Sequence, residues 1–205
     1  VKGVTAHSGT PELGVNAIYQ SARLLGLIEE AHHQQVRCRC HDLVGNASLT
    51  VTRIHGGHAD NVVPDSCELL LDRRMVPGED EEVVKAELQQ LLDHAYAQAN
   101  VEAEIIAWQP TTGGATQTDS SEAIVEQSLA ACRRHGQREP GPFGFQGGCD
   151  LVHFRSLGAK GVVIGPGSLS VAHKPDEFVP VDEFIAAADI YLDIALAMLP
   201  PASDL

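Results

Sequence analysis

Ala47-Ser48-Leu49-Thr50-Val51-Thr52-Arg53-Ile54, then a Gly56-Gly57 break, then Cys67-Glu68-Leu69-Leu70-Leu71-Asp72-Arg73-Arg74-Met75 read as two successive strands. In the first, Leu49, Val51 and Arg53 alternate with Ser48, Thr50 and Thr52, which puts Arg53 on the apolar face. Pro77-Gly78 stops the second strand, and the period then changes. Over residues 79–99, Val83, Val84, Leu88, Leu91, Leu92 and Ala95 recur at helical spacing, with acidic residues crowding the first turn, where the helix dipole favours them. Residues 101–108 return to a strand pattern. Upstream, residues 1–6 alternate weakly as far as the turn His7-Ser8-Gly9-Thr10-Pro11, after which Ala17, Ile18, Ala22, Leu24, Leu25 and Ile28 share one helical face. The order strand, helix, strand, strand, helix, strand is the split βαβ or ferredoxin-like arrangement. It predicts a four-stranded antiparallel sheet with two helices on one face over residues 1–108.

Residues 111–118 are polar and Gly-rich without apolar periodicity, and mark a domain junction. Beyond it the pattern predicts a helix over 120–135, a Gly/Pro-rich segment, a short helix near Leu151, a buried strand at 161–164 and a final helix over 181–199. Residues 109–205 thus read as α/β, but two strands are too few for a self-contained parallel sheet. This half is expected to expose apolar surface meant for other strands. The chain also opens without a methionine, inside a strand, and reads as part of something longer.

With 205 residues and 43% hydrophobic composition the chain builds a real core. Lysine and arginine number 14 against 28 aspartates and glutamates, a net charge of −14, which argues against nucleic-acid binding. The sequence shows neither an apolar run of membrane-spanning length nor a basic-then-apolar leader pattern at its start. Five cysteines, an odd and scattered set, do not form a disulfide framework, and a reducing cytoplasm is the expected compartment.

Of the ten histidines, His32, His33, His41, His94 and His135 lie in polar or helical surroundings and read as solvated surface. Cys38-Arg39-Cys40-His41 spaces its ligands too tightly for a structural zinc site and has no second pair. Cys149 and His153 would stand one helical turn apart, a conceivable nucleophile and base, against which stands ordinary helix surface. Gly147-Gly148 just before them implies a sharp turn or a close backbone approach. His173 follows Gly165-Pro166-Gly167 on a loop at the end of an apolar strand, where α/β proteins keep catalytic and metal-binding groups. His7 stands in a turn between strand and helix, Asn61-Val62-Val63-Pro64 ends a Gly/His-rich loop, and Asp72-Arg73-Arg74 places two cations in an apolar strand. Singly, each is explained by capping or packing; jointly, they form a pattern.

Ala6-His7-Ser8-Gly9 with Gly14-Val15-Asn16-Ala17, Asn61-Val62-Val63-Pro64, Leu71-Asp72-Arg73-Arg74, Gly147-Gly148-Cys149-Asp150, and Gly165-Pro166-Gly167 with Ala172-His173-Lys174-Pro175-Asp176-Glu177 together resemble the M20 metallopeptidase family, in order and over nearly the whole chain. The likeness is greatest to its acetylornithine deacetylase and succinyl-diaminopimelate desuccinylase branch. It implies a ferredoxin-like lid and dimerisation domain, residues 1–108, followed by the C-terminal part of a zinc-hydrolase catalytic domain, residues 109–205. It also implies two zinc ions, with cobalt or manganese as alternatives. His173 would ligate metal. His7 would reach into a partner subunit's site and donate a hydrogen bond to the oxyanion. Asn61 and Arg74 would hold the substrate's carboxylate or acyl oxygen, and Gly147 and Gly148 would let backbone approach the substrate.

The family's His-x-Asp segment, bridging Asp and adjacent Glu pair have no match here. Cys149 stands where the family usually shows Thr or Ser, and Gln109-Pro110 where some members carry a basic residue. The resemblance implies a deacylase or peptidase acting on N-acyl amino acids or small peptides, with this chain alone inactive, dimeric through the lid, and in contact with neither nucleic acid nor membrane. The other readings are a non-catalytic dimerisation or binding module and a metal-independent hydrolase built on Cys149 and His153.

Overall fold

A computed structural model describes residues 1–109, 114–137 and 140–199. Pro110 and residues 111–113 of the expected junction lie outside the described residues. The chain forms two compact units, Val1–Ala115 and Thr116–Leu205.

In the first unit, helix α1 (Ala17–Ala31) starts where the Asn16 side chain accepts hydrogen bonds from the backbone of Ile18 and Tyr19. It runs on into a π-turn, His32–Val36, whose His32 Nδ1 accepts the Leu49 N–H at 3.3 Å. A small antiparallel pair, β1 (Cys40–His41) and β2 (Gly45–Asn46), leads into β3 (Ser48–Gly56) and its antiparallel partner β4 (Cys67–Arg74). Asp80 caps helix α2 (Glu81–Ala99), and Asn100 ends it in the left-handed conformation at φ 51°. Leu24 and Ile28 of α1, Val36, Ala47, Leu49 of β3, Val76, Ala95 of α2 and Val101 form the core between helices and sheet.

The β3–β4 ladder departs from regular pairing at one point. Val51 pairs with Leu71 and Arg53 with Leu70, so Thr52 is an extra residue, a β-bulge. Directly opposed residues share a face. Leu49 and Val51, then Ile54 and Gly56, lie with Arg73, Leu71, Leu69 and Cys67 toward the helices, where a Cβ on Gly56 would sit 2.9 Å from Cys67 Sγ and 3.2 Å from Ile18. The bulge therefore reverses the expected place of Arg53. Together with His55, it moves to the outer face, opposite Leu70 and Glu68. Because Thr52 lies outside the pairing, deleting it joins Val51 to Arg53 and leaves every cross-strand pair as it is. The ΔThr52 chain is expected to keep its cooperative urea transition within about 1.5 kcal/mol of wild type; loss of that transition would show that the bulge is required.

The four-stranded sheet expected from the sequence is reduced here to this two-stranded ladder with bridged flanks. Val1 exchanges backbone hydrogen bonds with Cys67 at 2.9 and 3.0 Å, Lys2 N–H bonds Glu102 O at 2.8 Å, and Lys2 bridges Ser66. The lateral order is thus residues 101–102, 1–2, β4, β3, that of the ferredoxin-like fold. Neither residues 1–6 nor 101–108 form a regular strand. In the first segment Lys2 bridges Ser66, Val4 bridges Val15 and His7 bridges Val62, so successive pairs go to different partners and build no ladder.

The second unit holds α3 (Ala123–Arg134), α4 (Leu151–Ser156) and α5 (Val181–Met198). Ala131 of α3 packs on Ile190 and Ile194 of α5, with Ile164 at the edge. Hydrogen bonds from His135 and then Arg134, each at 3.0 Å, hold the Asp193 carboxyl below its ordinary range and tie the end of α3 to α5. The strand expected at 161–164 does not form. Among the described residues no second strand lies beside it, and its carbonyls are taken by side chains instead, Gly161 O by Thr118 Oγ1 and Ile164 O by Tyr191. On α5, Phe184, Ile185, Leu192 and Leu196 are more than half exposed. Among the described residues no helix is long and apolar enough to cross a membrane.

Candidate active site

In the first unit, backbone pairing brings His7 and Asn61 together. Ser8 N–H bonds Asn61 O at 2.9 Å, Val63 N–H bonds Ala6 O at 2.8 Å, and His7 bridges Val62. Buried Val63 and Pro64, the latter accepting Ala17 N–H at 2.9 Å, anchor the loop, so that exposed Asn61 is carried on a fixed support. His7 is exposed, and its Nδ1 accepts the Gly9 N–H at 3.0 Å. In the neutral ring this bond places the remaining hydrogen on Nε2. The imidazole therefore presents a hydrogen-bond donor at its outer end. Gly9 is needed for this approach, since a Cβ there would stand 3.1 Å from Nδ1.

Arg74 lies elsewhere, opposite Ser48, while the His7–Asn61 loop joins the ladder beyond Gly56 and Cys67. Seven residues of strand, roughly 23 Å, separate the two ends. The Arg74 guanidinium is 61% exposed and forks onto the Asp72 carboxylate through Nε at 2.8 Å and Nη2 at 3.0 Å. The alternation of β4 sends Arg73 the other way, with its side chain 6% exposed. There it meets Glu79, which also receives Arg39 at 2.8 Å and the Val76 N–H at 2.8 Å, while Arg39 forks onto Glu87. Burial pushes the Glu79 carboxyl up, but the bonds from Arg73, Arg39 and Val76 outweigh it and hold the group below its usual range. This ion network was not legible in the sequence; its members are far apart along the chain and only the folded strand alternation joins them.

In the second unit, Gly147 sits at a bend where a Cβ would come within 2.6 Å of the Phe145 ring, and Gly148 follows it on the surface. Cys149 precedes α4, which begins only at Leu151, so Cys149 and His153 do not share a helical turn as the nucleophile-and-base reading requires. His173 is exposed and left-handed at φ 61°, a conformation costly for a side chain with a Cβ. The Glu177 carboxylate supports it by accepting the His173 N–H at 2.9 Å. Among the described residues no group of three His, Cys, Asp or Glu side chains is gathered closely enough to hold a metal ion. The two-zinc expectation thus finds one candidate ligand, His173, and no completed site.

A unit with ferredoxin-like strand order thus carries an exposed histidine beside a loop asparagine, and a helical unit follows it in the chain. Residues 1–100 match the M20 peptidase dimerisation domain, and this part of the chain belongs to that family. The chain is 30% identical over 191 residues to an acetylornithine deacetylase of Myxococcus xanthus, covering 90% of this chain and 47% of that protein. It is 29% identical over 193 residues to a putative succinyl-diaminopimelate desuccinylase of Mycobacterium tuberculosis, covering 93% and 49%. Its fold is that of a tripeptidase from Staphylococcus aureus (TM-score 0.72, 22% identity, 97% of this chain and 50% of that one) and of an M20 family metallo-carboxypeptidase from Sulfolobus solfataricus (TM-score 0.68, 17% identity, 95% and 55%). The chain spans about half the length of the curated relatives it matches.

Proposed function

We propose that the protein carrying this chain is a zinc-dependent amidohydrolase that removes the acyl group from N-acyl amino acids or small peptides, working as a cytoplasmic homodimer. The observation that carries the reading is the bridge of His7 with Val62, which sets Asn61 next along the chain to the paired residue, with Nε2 left as an outward donor. A donor so fixed is suited to the oxygen of an acyl group, where negative charge develops during attack on an amide. Arg74, at the other end of the ladder, offers a fork for a substrate carboxylate. One rigid hairpin does not bring both ends to the same small molecule, so the reading has His7 and Asn61 of one copy serve the substrate held by Arg74 of another. His173 supplies one ligand, and the rest of the metal set comes from residues outside those described. All five cysteines are free, which supports a reducing compartment.

The incomplete ligand set favours one other reading, a non-catalytic dimerisation module. Hydrolysis assays on the full-length protein loaded with zinc, using N-acetyl and N-succinyl amino acids and dipeptides, separate the two. Zinc-dependent turnover of at least one class is the expected result. A stable dimer without turnover of any would leave the module reading standing and overturn the enzyme.

A further inference from the structure

The two helices of the first unit part over one patch of the sheet and leave a cavity of about 210 Å³ between them. Its floor is the opposed pair Leu49 and Arg73. One wall is the stripe Val84, Leu88 and Leu91 of α2; the other is the end of α1, where Ala31 passes into the π-turn that holds Val36. The gap has a local cause. A π-turn winds wider than an α-helix, and Ala31 is too short to fill the space beside it; such turns recur at functional sites. Two charged side chains reach the cavity, and neither has charge to spare. Arg73, with its side chain 6% exposed, gives its Nη groups to Glu79 and to the Arg74 carbonyl, while Glu87 receives both Nη groups of Arg39. A guest with a charge of its own would lose hydration there without gaining a counter-ion. What Arg73 still offers is the flat face of its guanidinium, which stacks well on an aromatic ring, and the apolar walls suit the same body. At the rim, exposed Gln90 and His94 stand one helical turn apart and supply partners for a single polar group. The size agrees, since a dry apolar cavity of ~150 Å³ holds benzene and this one is somewhat larger.

We propose that this cavity is a binding site for a small neutral aromatic molecule of one or two rings, stacked on Arg73 between α1 and α2 with its one hydrogen-bonding group at Gln90 and His94. The site lies within the first unit, needs neither a metal nor a second copy, and is independent of the amidohydrolase reading. Its occupation ties α1 to α2 and stabilises the unit by mass action.

The test titrates the full-length protein with indole as the probe, and with benzoate and benzylamine as charged comparisons of similar size, by calorimetry and by methyl NMR. Indole is expected to bind one site per chain with a dissociation constant of about 1 mM or tighter, and to outbind both charged compounds by about tenfold or more. The methyl signals of Ala31, Val84, Leu88 and Leu91 should shift with it. Ala31→Leu, which puts a branched side chain into the cavity, should weaken indole about tenfold or more and keep its urea transition. Leu88→Phe fills the same space from the other wall and takes its place if Ala31→Leu does not fold. Uptake that does not saturate, shifts confined to other residues, tighter binding of a charged compound, or an unchanged indole affinity in a folded filled variant would each overturn the assignment.

Discussion

Replacing His7 by alanine in the full-length protein is expected, on the proposed amidohydrolase reading, to lower kcat by about 10²- to 10³-fold with little change in KM, the signature of a donor used mainly as charge develops. The expectation follows from the ring geometry, in which Gly9 N–H occupies Nδ1 and the outward hydrogen stays on Nε2. Glutamine, which keeps an N–H donor on a flexible stem, should recover part of the loss. The separation of His7 from Arg74 along the ladder gives a sharper form of the test. His7→Ala and Arg74→Ala homodimers should each be nearly inactive. After random exchange of subunits, activity should return to about a quarter of wild type, because half the dimers then hold one intact site of two. No recovery on mixing would mean that both residues serve the site of their own copy.

The second large effect concerns stability. Glu79→Leu strands Arg73, whose side chain is 6% exposed, and removes a partner of Arg39 and of the Val76 N–H. A loss of about 3–5 kcal/mol is expected, measured by urea denaturation. Glu79→Leu combined with Arg73→Met should return most of it, since the cost is that of an unpaired buried charge rather than of a missing bond. The sign of the pH dependence follows from the lowered Glu79 carboxyl. A group whose folded value lies below its unfolded one contributes stability that is fully present above the unfolded value, near pH 4, and is lost as pH falls through the folded value. Wild type should therefore weaken in acid more steeply than the double variant; parallel curves would remove Glu79 from the account.

Helix positions were readable because apolar spacing and end chemistry are local: Asn16 and Asp80 each begin a helix where the pattern starts. The pairing of the hairpin was legible for the same reason, but its faces were not. Nothing in Val51-Thr52-Arg53 distinguishes an extra residue from a regular one, because a bulge is a relation between two strands. The segment at 161–164 has the composition of a strand and lacks the neighbour that would make it one. Among the candidate site residues, His7 and Asn61 were legible as loop positions, but their nearness depends on the bridge between His7 and Val62. The resemblance assigns a substrate-holding role to Arg74 rather than Arg73, and the alternation of β4 exposes the first and buries the second. Of the metal ligands that the resemblance implies, the sequence offers His173 alone, and its left-handed backbone is not visible in composition.

The support of the Asn61 loop has a further bearing. Ser8 N–H and Val63 N–H, both backbone groups, fasten it to the segment that carries His7, and the Asn61 side chain takes no part in either bond. Exchange of the side chain at 61 therefore leaves the footing of residue 7 in place. The two positions are free to vary one at a time, since the frame that holds them is written in the main chain.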